Sequence, residues 1–248
     1  MNAKSPKKRL DVLLFERGLA GSRQKAQAMI LAGEVSVDGA KQQKAGAQIP
    51  ESAQIEVASR LQKYAGRGGF KLEGALADFS VDPTHLVCLD LGSSSGGFTD
   101  CLLQHGAARV YAIDVNIDQL AWKLQQDNRV IKIERNAREL QPADIPEPID
   151  LIVADVSFIS VTKIFAPAAQ VAKPNATFLI LIKPQFELRR EDVGSGGIVK
   201  DPALHERAIS SVKQHAQQIG LQILGVLPSR LLGMEGNQEF FLHARKST

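Results

Sequence analysis

From Phe70 onward the chain alternates short apolar runs with stretches whose apolar residues recur at three- and four-residue spacing. Runs near 86–91, 109–114, 130–134, 149–155, 176–182, 221–227 and 239–244 have strand length, and the longest of them read as buried strands. Helical spacing falls between them, over about 97–105, 118–125, 160–172 and 203–219. A further helix is expected from Phe70, on Leu72, Ala75, Leu76 and Phe79. Strands and helices in alternation predict an α/β fold, a mostly parallel sheet with helices on both faces.

The front of the chain is patterned differently. Leu10, Val12, Leu13, Leu14 and Leu19 follow helical spacing, and Gly18 ends that helix. Ser22 is a candidate N-cap for a second helix, with Ala26, Met29, Ile30 and Leu31 on its inner face and Gly33 as the stop. Val35 and Val37 then alternate with polar residues up to Asp38-Gly39, a hairpin-turn dipeptide, and Gln54-Ile55-Glu56-Val57 reads as a second strand. The result is a small α+β domain of two helices and a short hairpin, set at residues 1–60. Residues 58–69 lack periodicity and carry three glycines and three cations, so a linker is placed at 61–69 and the main domain at 70–248.

Charge sharpens this division. Residues 1–70 hold twelve lysines and arginines against six acids, whereas 71–248 hold eighteen against twenty-one. A basic front domain on a mildly acidic body is the footprint of a module that binds a polyanion. The 248 residues are 44% hydrophobic and 23% charged, the balance of an ordinary globular protein. No apolar run has the length to span a bilayer, and Asp11, Glu16 and Arg17 interrupt any signal-peptide core. The cytoplasm is the expected compartment. Cys88 and Cys101 fall in a predicted strand and the next helix, which fits buried thiols better than a disulfide or a metal site.

Three segments carry chemistry, each with a polar group at the carboxyl end of a predicted strand, where open α/β sheets build their sites. The first is Asp90-Leu91-Gly92-Ser93-Ser94-Ser95-Gly96-Gly97-Phe98-Thr99; the second, Ile149 to Phe158, ends its apolar run at Asp155; the third, Phe178 to Pro184, ends its run at Lys183. A glycine-rich turn alone also suits a dinucleotide fold. Asp90 at the strand end shifts the balance toward S-adenosylmethionine (SAM), as an acid placed to hold the methionine end. Asp114 ends the next strand, where it can accept both ribose hydroxyls, and Asn136 follows the third strand toward the adenine end. The cofactor-binding set is therefore Asp90, Gly92, Ser93, Gly96, Gly97, Phe98, Asp114 and Asn136.

Two resemblances add to this reading. Arg9-Leu10-Asp11, Gly18-Leu19-Ala20, Ser22-Arg23, Ala26 and Gly33 to Gly39 resemble the S-four RNA-binding domain. That resemblance implies that Arg9, Ser22, Arg23, Gln24 and Lys25 face RNA phosphates, and Arg67 in the linker is grouped with them. Asp155 to Ser160, Lys183 to Glu187, Gly68 to Leu72 and Gly236 to Phe240 together resemble the TlyA (hemolysin A-like) family, S-four-containing ribosomal RNA 2'-O-methyltransferases of the FtsJ-like group. Carried over by motif, the resemblance implies a catalytic set of Lys71, Asp155, Lys183 and Glu239 on a Rossmann-like SAM methyltransferase sheet, with no metal. It implies methylation of ribosomal RNA, free or in subunits, at cytidine. The large subunit is favoured because the chain stops soon after its last strand, and a monomer is expected when the protein is free. A ribosome-binding protein with a degenerate methyltransferase domain is the alternative of another class. A membrane-active hemolysin would require a spanning or strongly amphipathic segment.

Overall fold

The computed structural model describes residues 6–57 and 63–247, and the chain divides into two compact units, Met1–Lys63 and Tyr64–Thr248. Residues 1–5 and 58–60 of the expected front domain, and 61–62 of the expected linker, lie outside the described residues.

In the smaller unit, β1 (Lys7–Arg9) leads into α1 (Leu10–Glu16) and α2 (Arg23–Leu31), followed by β2 (Val35–Val37), β3 (Ala40–Gln42), β4 (Gln48–Pro50) and β5 (Ile55–Val57). Ser22 caps α2, its side chain accepting from Lys25 N. The Asp38-Gly39 turn joins β2 to β3 with φ of 49° and 80°, so Gly39 takes a left-handed conformation at no side-chain cost. The strand expected over Gln54 to Val57 is Ile55–Val57, which pairs with the other edge of β2, giving three strands in the order β3-β2-β5, and β1 pairs separately with β4. Leu10, Leu13, Leu14, Ala26, Ile30, Val35 and Val57 form the core. Leu31, expected on the inner face of α2, is 69% exposed. Ala26 and Ile30 define the buried stripe, and one further residue turns the next side chain about 100° off it.

The larger unit holds α3 (Gly68–Asp78), β6 (Val87–Leu91), α4 (Gly97–Gln104), β7 (Arg109–Asp114), α5 (Trp122–Gln125), β8 (Val130–Glu134), β9 (Ile149–Ala154), α6 (Thr162–Val171), β10 (Ala172–Ile182), α7 (Pro184–Glu187), α8 (Pro202–Gln218), β11 (Leu221–Pro228) and β12 (Phe240–Lys246). Its seven-stranded sheet runs β11-β12-β10-β9-β6-β7-β8. The five strands from β10 to β8 are parallel, and β12 runs antiparallel to both β10 and β11. Side chains alternate across the sheet. Leu89, Leu91, Ile152, Phe178 and Ile180 pack with α6 and α8 on one face; Cys88, Leu151, Val153, Leu179 and Leu181 pack with α3 and α4 on the other. Both faces are therefore covered, as a parallel sheet requires.

Two expectations change in detail. The helix expected over 118–125 is a single turn at Ile117–Gln119 followed by the four-residue α5. Leu120 and Ala121 between them are extended, because Ala121 N bonds Ser95 O and the Gln125 side chain takes Leu120 O. Residues 64–69, expected in the linker, lie in the larger unit, and α3 starts at Gly68 rather than Phe70. Tyr64 is buried, and a Cβ at Gly69 would come within 2.4 Å of it.

Candidate active site

Strand order reverses between β6 and β9, and the site lies at their carboxyl ends, the switch point where open sheets bind ligands. The loop after β6 is wrapped tightly: Gly92 N and Ser93 N both donate to Ile113 O at 2.9 and 3.1 Å, and Ser94 N donates to Asp114 Oδ2 at 2.9 Å. Gly92 has φ +83°, and a Cβ there would sit 2.8 Å from Asp155 O. Only glycine satisfies both conditions.

A cavity of about 530 Å³ opens beside this loop. Gly92, Ser93, Gly97, Phe98, Arg67 and all four expected catalytic residues line it. The four side chains form two pairs. Lys71 Nζ lies 2.5 Å from Glu239 Oε2, with 8% and 3% of the side chains exposed. Lys183 Nζ lies 2.6 Å from Asp155 Oδ1, an ion pair whose side chains are 10% and 22% exposed. Each lysine is set by the chain around it: Lys71 stands in the first turn of α3, and Lys183 caps α7 directly after β10.

Asp90 is the fourth of five residues in β6 rather than its last. It is fully buried, outside the cavity lining, and accepts the Thr99 hydroxyl at 2.6 Å. Its Oδ1 and the nearby Ser93 Oγ are buried without a hydrogen-bond partner among the described residues. Burial pushes the Asp90 carboxyl up to about 7. Unsatisfied polar atoms beside a glycine-lined turn are groups that a ligand with an amino-acid end, such as SAM, could satisfy. Asp114 closes β7, and Asn136 follows the paired β8 at the same edge of the sheet. Both lie outside the cavity lining. Asn136 caps the next turn, accepting from Arg138 N at 3.1 Å. Gly96 (φ +92°) is also outside the lining and serves as the N-cap of α4. Phe98 is mostly core, stacked on Phe241 at 6.1 Å.

Several residues at the site carry no assignment from the sequence. Ser157 Oγ accepts from Lys183 Nζ at 2.7 Å. Glu187 binds the loop after β9, accepting from Ser160 Oγ at 2.5 Å and Val161 N at 2.9 Å. Phe158, 88% exposed with φ +65°, stands against Phe186 at 5.3 Å on the cavity rim. Buried Asn237 ties the segment before α8, accepting from Val199 N and donating to Gly197 O, each at 2.9 Å. Ser157, Glu187 and Asn237 all stand inside motifs visible in the chain, but the reach of Asn237 forty residues back to Gly197 has no local signal. Among the described residues, no group of three or more His, Cys, Asp or Glu side chains could hold a metal.

In the smaller unit, Arg9 and Arg23 meet at one buried acid, Asp11. Ser22, Gln24 and Lys25 are exposed. Arg67, in the larger unit, donates to Leu232 O at 3.2 Å.

The sequence pattern of the FtsJ-like methyltransferases matches residues 64–246. The chain belongs to the FtsJ-like methyltransferase family. The S4 domain pattern matches residues 8–55, within the smaller unit. The chain is 43% identical over 242 residues to the 16S/23S rRNA (cytidine-2'-O)-methyltransferase TlyA of Mycobacterium tuberculosis, covering 97% of this chain and 90% of that one. It is 43% identical over 238 residues to hemolysin A of Brachyspira hyodysenteriae, covering 95% and 98% of the two chains. A solved Streptococcus thermophilus structure with a hemolysin title shares 37% identity and a TM-score of 0.75, over 99% of this chain and 90% of that one. The family expected from the motifs is thus the family found, and the Rossmann-like methyltransferase sheet is its fold.

Proposed function

We propose that the protein methylates the ribose 2'-hydroxyl of a cytidine in ribosomal RNA, with SAM as methyl donor. The observation that carries this reading is the pairing of Lys183 with Asp155 and Lys71 with Glu239 in one cavity beside the glycine loop. The 43% identity to a cytidine-2'-O-methyltransferase over nearly the whole chain supports it.

Asp90, the 92–97 loop and Asp114 would hold SAM, with Asn136 toward the adenine. When bound, SAM supplies a methyl group on a positively charged sulfur. A ribose hydroxyl is a weak nucleophile and needs its proton accepted as its oxygen bonds to carbon. In the ion pair Lys183 is an ammonium with no lone pair, so it takes that proton only after releasing one of its own to Asp155 or to water. Asp155 and Ser157 fix the position of Lys183 Nζ. Lys71 and Glu239 line the same cavity, and alignment of the hydroxyl for in-line attack supplies a share on the order of 7–11 kcal/mol. Phe158 on the rim offers the kind of aromatic face on which a single-stranded base stacks.

In the smaller unit Arg9, Ser22, Arg23, Gln24 and Lys25 would meet RNA phosphates, where a helix N-terminus and cations favour an anion; Arg67 would do so at the cavity. The activity belongs in the cytoplasm with its substrate. The name of the Mycobacterium relative covers 16S and 23S RNA, so it lends no weight to the large subunit over the small. The hemolysin names suggest a membrane-active reading, but no described helix is long and apolar enough to cross a membrane.

Purified protein, methyl-labelled SAM and ribosomal subunits from cells lacking the protein test the proposal. Label recovered in 2'-O-methylcytidine from wild type, and absent with Lys183→Ala, is the expected result. Label on a base, no label from wild type, or leakage from liposomes without transfer would reject it.

A further inference from the structure

The smaller unit contains a buried carboxylate whose polar partners are mainly side chains that face water. Asp11 has no exposed surface. It accepts Arg9 Nε and Nη2, each at 2.9 Å, Gln27 Nε2 at 2.7 Å and Val12 N at 3.0 Å, and Arg23 Nη2 stands 3.4 Å away. The two arginine side chains are 46% and 55% exposed. The geometry follows from the chain: Asp11 is in the first turn of α1, Arg9 ends β1, and Arg23 and Gln27 share one face of α2 at i, i+4 spacing. Gly46 lies under Arg9, since a Cβ there would come 3.3 Å from Arg9 Nη1. The Arg9 guanidinium holds the Asp11 carboxyl far below the usual carboxylate range, so it stays charged wherever the protein is folded.

We infer that Asp11 is a positioning residue for RNA, which fixes Arg9 and Arg23 as a paired seat for backbone phosphates with Gln27 as a neutral brace. This rests on the RNA-binding reading of the smaller unit. An arginine free in solvent must be ordered when it meets a phosphate, and that cost weakens binding. The bidentate clasp on Asp11 orders Arg9 beforehand and leaves its Nη1 edge for a ligand. Arg23 is held more loosely, through one nitrogen. Asp11 also cancels one positive charge in front of a polyanion. Position and charge therefore act on affinity with opposite signs, and the two can be separated.

The test is RNA affinity of the full-length protein as a function of salt, for wild type, Asp11→Asn, Gln27→Ala and Arg9→Ala/Arg23→Ala. With Asp11→Asn, positioning predicts binding weaker by roughly tenfold, as the ordering of two side chains moves into the binding step. The salt slope should also become shallower, toward that of the double arginine variant. A carboxylate that only neutralises charge predicts the reverse: tighter binding and a steeper slope on its removal. Unchanged or tighter binding overturns the inference. Should Asp11→Asn unfold the smaller unit, Gln27→Ala decides, because it alters no charge. Weaker binding at an unchanged melting profile supports positioning, and unchanged binding overturns it. If Arg9→Ala/Arg23→Ala leaves both affinity and salt slope at wild-type values, the RNA-binding reading of this unit itself fails. If that variant weakens binding while Asp11→Asn does not, only the present inference fails.

Discussion

Lys71 and Glu239 form the more buried of the two ion pairs, so stability and catalysis respond to them differently. Their side chains are 8% and 3% exposed, with Nζ and Oε2 2.5 Å apart. Glu239→Gln leaves a buried ammonium unpaired, and Lys71→Met leaves a buried carboxylate. Breaking a buried pair from one side costs about 3–5 kcal/mol, against roughly 0–1 kcal/mol for an exposed pair. For a unit of this size that corresponds to a fall in melting temperature of roughly 6–20 °C. The combination Lys71→Met/Glu239→Gln removes both charges and should recover most of the loss. Methyl transfer should not recover with it, because the double variant lacks the charged groups the site needs. The assay is a double-mutant cycle on the calorimetric transition of the larger unit, with single-turnover transfer measured on the same four proteins. Single variants costing under about 1 kcal/mol would refute the burial argument. A double variant with the wild-type rate would refute a catalytic part for the pair.

Asp90 ties stability to pH. Burial holds its carboxyl up at about 7, above the ordinary carboxylate value of 3.8, so the folded state holds the proton more tightly; the contribution of this group to stability falls as pH rises from about 4 to about 7 and is level above that. Asp90→Asn should abolish that fall in pH-dependent melting, and it should weaken SAM binding most at pH 8, by calorimetry; a pH profile identical to wild type would refute the assignment. Lys183→Ala should lose roughly 10²–10⁴-fold in single-turnover transfer with SAM affinity kept, and Lys183→Arg nearly as much, since guanidinium does not lose its proton. An active arginine variant would reduce Lys183 to an electrostatic role. The segment 184–202 is expected to act as a lid on the cavity. Amides of 189–196 should exchange fast and slow down when SAM and RNA are both present, whereas Val199 N, already bonded to Asn237, should be protected throughout. Full protection of 189–196 without ligands would argue for a rigid segment.

The chain's own patterning carries most of the architecture. Strands β6 to β12 stand where apolar runs were read; the central β6, β7, β9 and β10 are buried strands that leave little room for polar residues, whereas the edge strands β8 and β11 are only partly buried. The glycines at 92, 96 and 97 mark the turn: positive φ and a backbone contact exclude a side chain at 92, positive φ and the Leu120 and Leu124 side chains do at 96, and backbone contacts do at 97. Three-residue strands such as β1, β3 and β4 are too short to show a period, and tertiary pairing alone defines them. The break between Ile117–Gln119 and α5 depends on a hydrogen bond from Ala121 to Ser95, which no local pattern encodes. Lysine–carboxylate chemistry was legible from motif resemblance, but the pairing of Lys71 with Glu239 spans 168 positions. Asp11 read as a charge interrupting an apolar stretch and as part of the Arg9-Leu10-Asp11 motif, with no role of its own. Only folding brings Arg9, Arg23 and Gln27 around it.

Mapping of 2'-O-methylation across both ribosomal RNAs, in cells with the protein, without it, and with Lys183→Ala in its place, tests the central claim most directly. At least one cytidine should carry a 2'-O-methyl group with the wild-type protein and lack it in the other two strains. Identical maps in all three strains, or a lost modification that lies on a base, would contradict it.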